Sequence, residues 1–206
     1  MIEKQAKEVD KSKLAEVFTG EVENINANYL TLVKIFLKSA KENKDSGVRF
    51  YDRNGKTTYS SYGEIRDKAK KIVTGLLKNN IKPKEVVIFQ FSSSRDYLET
   101  FWACMFAGIV PAPITIPKVF DTENLECKVV YNTWNMIGKV KIIVSDDIYE
   151  EYVSLCKKFG IDKKYVINAK DLKDNEPNEE VHDTKPEDPA IMFFTSGSTG
   201  MPKGVV

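Results

Sequence analysis

Apolar residues recur along this chain with two different spacings. Short and almost continuous apolar runs, such as residues 86–91, are typical of strands buried on both faces of a parallel sheet. Longer stretches, such as residues 62–80, place apolar side chains three and four positions apart, which predicts amphipathic helices. Because strands alternate with helices, the pattern predicts an α/β fold with a layered, mainly parallel sheet and helices on both faces.

The same pattern gives approximate positions for the elements. The dipeptide Asn54-Gly55 between two β-rich runs predicts a tight hairpin. Ser60 or Ser61 is expected to cap the following helix, and Gly108 is expected to end a later helix in the left-handed conformation. All elements are expected to form a single domain. The expected parallel strands lie near residues 86–91, 140–145 and 165–168, and a further strand is expected at residues 190–194.

Composition and charge narrow the range of functions. The 206 residues are 42% hydrophobic and 30% charged, as in a globular domain. The net charge of +1 gives little attraction to nucleic acid, which we do not expect as a partner. The N-terminus lacks the apolar core of a signal peptide, and no apolar run is long enough to span a bilayer. We therefore expect a cytoplasmic protein without a membrane span.

The cysteines and the only histidine have structural interpretations. Cys104, Cys127 and Cys156 are widely spaced among apolar residues, which favours reduced packing residues over disulfides or metal ligands, and no metal site is predicted. His182 lies in the polar, acidic stretch 170–188, which is predicted to be an exposed connection. Because no nucleophile stands near it in the sequence, we interpret His182 as a solvated surface residue.

The most specific chemical signal follows the apolar residues 190–194, in the sequence TSGSTGMPKG. Glycines let phosphate oxygens approach backbone N–H groups, hydroxyls donate further hydrogen bonds and a lysine adds positive charge. Such a run predicts a phosphate-binding loop, although flexible linkers and turns also contain Gly, Ser and Thr. The order differs from the common P-loop because Pro202 precedes Lys203 and Gly204 follows it. The serines also lack the G-x-S-x-G spacing of a nucleophile elbow.

Residues 193–205, FFTSGSTGMPKGV, resemble the phosphate-binding signature of the adenylate-forming enzymes. That family includes acyl-CoA synthetases, fatty-acyl-AMP ligases and peptide-synthetase adenylation domains. Residues 57–114 are similar, in the same order, to the family's N-terminal region. The resemblance implies that residues 1–206 are a truncated N-terminal subdomain of an adenylation domain, ending in the phosphate-binding loop 194–205. The family's ribose, adenine and acyl pockets would then lie beyond Val206, so we expect the 206-residue chain alone to be inactive.

The activity implied by the resemblance is a two-step ligation. A fatty or amino acid attacks the α-phosphate of ATP, which binds with Mg²⁺, to give acyl-AMP and pyrophosphate. A thiol of CoA or of a carrier protein then accepts the acyl group. The carrier protein is favoured because residues 111–147 resemble fatty-acyl-AMP ligases and mixed peptide–polyketide synthetases. The alternative is a stand-alone nucleotide-binding or interaction module without catalytic activity.

The resemblance also assigns roles to single residues. Lys203 is the implied catalytic residue, because its charge would stabilise the pyrophosphate as it leaves. The implied ATP-binding residues are Thr195, Ser196, Gly197, Ser198, Thr199, Gly200 and Lys203.

Overall fold

The computed structural model describes residues 31–51, 55–195 and 203–205. Short 3-10 turns occur at Asp146–Ile148, Lys163–Tyr165 and Ala169–Leu172. The helices are α1 (Leu32–Glu42), α2 (Tyr62–Lys78), α3 (Ser94–Ala107), α4 (Leu125–Met136) and α5 (Tyr149–Lys158). The strands are β1 (Gly47–Tyr51), β2 (Thr57–Ser61), β3 (Val86–Gln90), β4 (Val110–Pro113), β5 (Ile142–Val144), β6 (Val166–Asn168), β7 (Phe193–Thr195) and β8 (Lys203–Val205).

The centre of the fold is a four-stranded sheet in the order β4-β3-β5-β6. Each of its three neighbouring pairs is parallel. Strand β4 lies at one edge, which explains how it can contain Pro111 and Pro113, since proline cannot donate a hydrogen bond to a second neighbouring strand. The predicted parallel sheet is confirmed.

Helices cover both faces of this sheet. Because successive side chains of a strand point to opposite faces, strands β3, β5 and β6 each contribute to two separate apolar clusters. The strand residues packed with α1, α2 and α3 are Val87, Phe89, Ile143 and Ile167. Those packed with α4 and α5 are Ile88, Ile142, Val144 and Val166. The predicted layered α/β architecture is therefore confirmed.

Local signals begin and end the helices as the sequence predicts. The Ser61 hydroxyl accepts a hydrogen bond from the backbone N–H of Glu64 at 3.2 Å, and the Glu64 carboxylate accepts one from the backbone N–H of Ser61 at 2.8 Å. Gly108 ends α3 with a φ of 65°. Strands β1 and β2 form the expected antiparallel hairpin, although Asn54 of its turn lies outside the described residues.

All three cysteines are free and buried, as expected. Burial raises the pKa of the Cys156 thiol to about 12, and it also raises the pKa of Cys104. Neutral thiols in such positions pack as small hydrophobic groups rather than acting as nucleophiles. Within the described ranges, no helix is long and apolar enough to cross a membrane.

The stretch 170–188 is only partly the exposed connection that its composition predicts. Leu172 is fully buried. The Thr74 hydroxyl donates to the Glu176 carbonyl at 2.7 Å, and the Asn178 N–H donates to the Lys70 carbonyl at 3.0 Å. These contacts attach the stretch to α2. They could not be predicted from the polar composition of the stretch, because they use mainly backbone groups. We call residues 173–192 the strap.

Candidate functional site

The predicted phosphate-binding sequence lies between two short strands. Strand β7 pairs with β8 in antiparallel orientation, and Thr195 lies opposite Lys203 as the last pair before the turn. Cα atoms of directly opposite residues in an antiparallel pair are about 4.5–5.5 Å apart. The ladder therefore brings the backbones of Thr195 and Lys203, which flank residues 196–202, close together.

The structure describes part of the predicted ATP-binding set. Thr195 ends β7 and Lys203 begins β8, so their backbones are neighbours. The predicted residues outside the described ranges are Ser196, Gly197, Ser198, Thr199 and Gly200, and their role stays a prediction. Strand β7 begins at Phe193 rather than at residue 190. Strand β8 was not predicted, because three residues with a central glycine are too few to show a strand pattern.

The β7–β8 pair lies beside the edge of the parallel sheet. The Met192 N–H donates to the Pro111 carbonyl of β4 at 3.0 Å. Phe193 and Val205 are opposite each other and remain 53% and 54% exposed. At Gly204 a Cβ would meet its nearest atom, Cε1 of Phe194, at 3.4 Å, which is ordinary contact. The pair is thus joined to β4 but buries little apolar surface within the described residues.

Acidic residues near the carboxyl ends of the strands have structural partners. Asp147 accepts a hydrogen bond from the Ser92 hydroxyl at 2.7 Å, and Asp146 accepts one from the Asn168 amide at 2.8 Å. The Asn168 amide lowers the pKa of Asp146 below its ordinary value. Both acids begin the turn that leads into α5, where a helix N-terminus favours negative charge. These contacts join the start of α5 to Ser92, which follows β3, and to Asn168, which ends β6.

His182 is not the fully solvated residue that the sequence suggested. It is half-buried, and its ring lies against Gly108 at the end of α3. Sequence reasoning could not find this contact, because the two residues are far apart along the chain and the polar neighbours of His182 indicate exposure.

Comparison with known proteins gives consistent matches. The AMP-binding enzyme family model matches residues 36–206. Over 155 residues the chain is 31% identical to 4-hydroxybutyrate–CoA ligase 1 of Metallosphaera sedula, which covers 74% of this chain and 26% of that protein. A solved structure of McyG A-PCP complexed with phenylalanyl-adenylate has a TM-score of 0.79 and 29% identity, covering 84% of this chain and 27% of that one. The fatty acyl-adenylate ligase from L. pneumophila shares the fold, with a TM-score of 0.69 and 20% identity over 86% of this chain and 30% of that one.

The chain spans between 26% and 30% of the length of these three proteins. The family match itself runs from within α1, through every strand of the parallel sheet and through β7 and β8, to residue 206. The same region carries the signature that the sequence suggested. The chain belongs to the AMP-binding enzyme family.

Proposed function

We propose that the protein is part of an adenylating ligase, which activates a carboxylic acid as acyl-AMP with release of pyrophosphate and passes the acyl group to a thiol. The observation that carries this proposal is the β7–β8 pair beside the edge of the parallel sheet, in which Thr195 and Lys203 flank the signature residues 196–202. Two similar proteins support it: one is a CoA ligase by name, and the other is complexed with phenylalanyl-adenylate.

The composition of the turn suits the outer phosphates of ATP. Gly197 and Gly200 have no Cβ that would keep phosphate oxygens away from backbone N–H groups, and the hydroxyls of the neighbouring residues can donate further hydrogen bonds. The acid's carboxylate oxygen attacks the α-phosphorus, and the bond from that phosphorus to pyrophosphate breaks. Negative charge grows on the leaving pyrophosphate, and the Lys203 ammonium stabilises it together with the Mg²⁺ that enters with ATP. In this mechanism the residues of this chain bind and orient the phosphates of ATP. The attacking group is the carboxylate of the acid, not a side chain of this protein.

The proposed acyl acceptor is the phosphopantetheine thiol of a carrier protein. The similar McyG structure is an A-PCP structure, and residues 111–147 resemble those of fatty-acyl-AMP ligases and mixed synthetases. Offering the activated acid to CoA and to a loaded carrier protein in parallel tests this choice. Faster transfer to CoA would contradict it.

We also propose that residues 1–206 act as the N-terminal subdomain of the adenylation domain and do not form acyl-adenylate alone. A single turn cannot provide the concave pocket that buries most of a ligand. The purified 206-residue chain should therefore give no ATP-dependent acyl-adenylate with any acid. Adenylate formed by this chain would contradict the proposal.

ATP–pyrophosphate exchange by the full-length protein tests the function itself. The panel should contain fatty acids, aryl acids, keto acids and amino acids, each added separately at saturating ATP and Mg²⁺. Exchange that depends on one class of acid would support adenylation and name the substrate class. Absence of exchange with every acid, together with a melting temperature raised by ATP, would favour a nucleotide-binding module and contradict the proposal.

A further inference from the structure

The strap first crosses helix α2. Its beginning is held by an ion pair between Lys173 and Asp96 at 2.6 Å, and the Lys78 ammonium donates to Asn175 at 2.7 Å. Lys70 forms an ion pair with Glu179. In addition to the backbone contacts with α2, three lysine side chains therefore attach this half of the strap to α2 and α3.

The second half of the strap is attached at one end to the last turn of α3 and at the other end to β4. The His182 N–H donates to the Phe106 carbonyl at 2.7 Å, and the Met192 N–H donates to the Pro111 carbonyl at 3.0 Å. Phe106 and Pro111 lie on either side of Gly108 in the sequence. The two ends of residues 182–192 are thus fixed on either side of the short connection between α3 and β4, and β7 starts directly after the second attachment.

The His182 ring occupies space that only a glycine leaves open. A Cβ on Gly108 would stand 2.3 Å from Cδ2 of His182, and real Cβ atoms essentially never come so close. The φ of 65° at Gly108 independently favours glycine. The Gly108 carbonyl also accepts a hydrogen bond from the Lys84 N–H at 2.6 Å, and the Lys84 ammonium pairs with Asp188 of the strap at 3.2 Å. Three segments of the chain therefore meet at Gly108.

We propose that His182 is a positioning residue for strand β7, which leads into the predicted phosphate-binding residues. Its ring packs against Gly108 and so sets the position at which the strap leaves α3. That position in turn sets where β7 begins beside β4. The ring acts through the backbone of residues 183–192 and not as a ligand-binding group. The expected effect on ATP binding rests on the proposed function. The placement of β7 does not, because it can be measured without any activity.

Hydrogen–deuterium exchange of the Met192 to Thr195 amides tests the placement. His182→Ala removes the ring and keeps the backbone N–H, so these amides should exchange about three- to tenfold faster than in the wild type. His182→Phe keeps a flat ring over Gly108 and should restore slow exchange. The matched control is Lys78→Ala, which breaks a contact in the first half of the same strap and should leave these amides unchanged. Equal exchange in His182→Ala and Lys78→Ala would overturn the proposal.

Steady-state pyrophosphate exchange by the full-length protein supplies a readout that a purely structural role would not move. His182→Ala should raise the KM for ATP about three- to tenfold and leave the KM for the acid unchanged, because the strap leads to the phosphate-binding turn. Equal changes in both KM values would overturn the proposal. If the wild type shows no exchange with any acid, the proposed function fails, and the amide measurement still decides the placement by His182.

A double-variant cycle keeps the test valid if a single variant folds poorly. Gly108→Ala should speed exchange of the Met192 to Thr195 amides, because its new methyl group displaces the ring. Adding His182→Ala should then cause no further increase, since the contact is already lost. Effects that simply multiply would show that the two residues act independently and would overturn the proposal.

Discussion

The parallel sheet and the β7–β8 pair use similar residues but are stabilised in different ways. Phe89 of β3 is 1% exposed and lies between helices and neighbouring strands, whereas Phe193 of β7 is 53% exposed. Each strand of the sheet has apolar residues on both faces, and the sheet is covered on both sides. Strand β7 has a single described partner, β8, and is joined to β4 at its start.

The difference in burial indicates that one region provides folding stability and the other is suited to ligand binding. Apolar burial supplies most folding stability, so the sheet and its helices carry the stability of the chain. The β7–β8 pair instead depends on a few hydrogen bonds and on the strap, whose His182 ring contacts Gly108. Parts of a protein that bind ligands are commonly drawn from its less stable regions. The following variants test this division, beginning with the largest expected effect.

Truncating one phenylalanine in each region should give unequal losses of stability. Phe89→Ala should lower the free energy of unfolding by about 3–5 kcal/mol, because it leaves a cavity in the buried cluster. Phe193→Ala should lower it by about 1 kcal/mol or less, since half of that side chain is already in water. Urea unfolding followed by circular dichroism measures both. Similar losses would mean that the two regions are not stabilised differently.

Two glycines with similar backbone conformations isolate the effect of the His182 contact. Gly160 has a φ of 72° and no atom within 4 Å of the point where a Cβ would stand, so Gly160→Ala should cost only about 1–2 kcal/mol of backbone strain. Gly108→Ala should cost about 1–3 kcal/mol more, because the His182 ring must also move. Thermal or urea unfolding compares the two variants. Equal losses of stability would show that the His182 ring moves away from the new methyl group at no cost, which would contradict a tight contact between His182 and Gly108.

The start of α2 should contribute a smaller, local amount. Ser61→Ala removes one half of the capping box with Glu64 and should cost about 1 kcal/mol. Ser154→Ala is the control, because Ser154 is exposed on α5 and is expected to lose nothing. Urea midpoints of the two variants make the comparison. A loss from Ser154→Ala as large as that from Ser61→Ala would contradict the assigned cap.

The smallest effect should be the pH dependence of the strap. The Lys185 backbone N–H and the Lys84 ammonium lower the pKa of Asp188 below its ordinary value of 3.8. A lowered pKa stabilises the fold above the ordinary value, and this stabilisation is lost as the pH falls through the lowered value. Asp188→Asn should therefore be less stable than the wild type at pH 7, and the difference should shrink at pH 3. A difference that is the same at both pH values would contradict this ion pair.

The sequence predicted the sheet better than the site, for physical reasons. Runs such as residues 86–91 and caps such as Ser61 are local signals, because burial on both faces and N-terminal hydrogen bonds leave their mark within a few residues. Other features depend on contacts between residues that are distant in the sequence, which no local pattern contains. These are the order of the strands, the position of the strap and the packing of His182 against Gly108. Lys203 was singled out by resemblance to a family, and its place in β8 became visible only through its pairing with Thr195.

ATP–pyrophosphate exchange by Lys203→Ala in the full-length protein tests the central claim most directly. Lys157→Ala is the matched control, because Lys157 is exposed on α5. Loss of one charge-assisted contact to phosphate, worth about 1.5–3 kcal/mol, should slow exchange by about ten- to a hundredfold, while Lys157→Ala should exchange at the wild-type rate. An unchanged rate for Lys203→Ala would contradict the claim that the turn between β7 and β8 binds the phosphates of ATP.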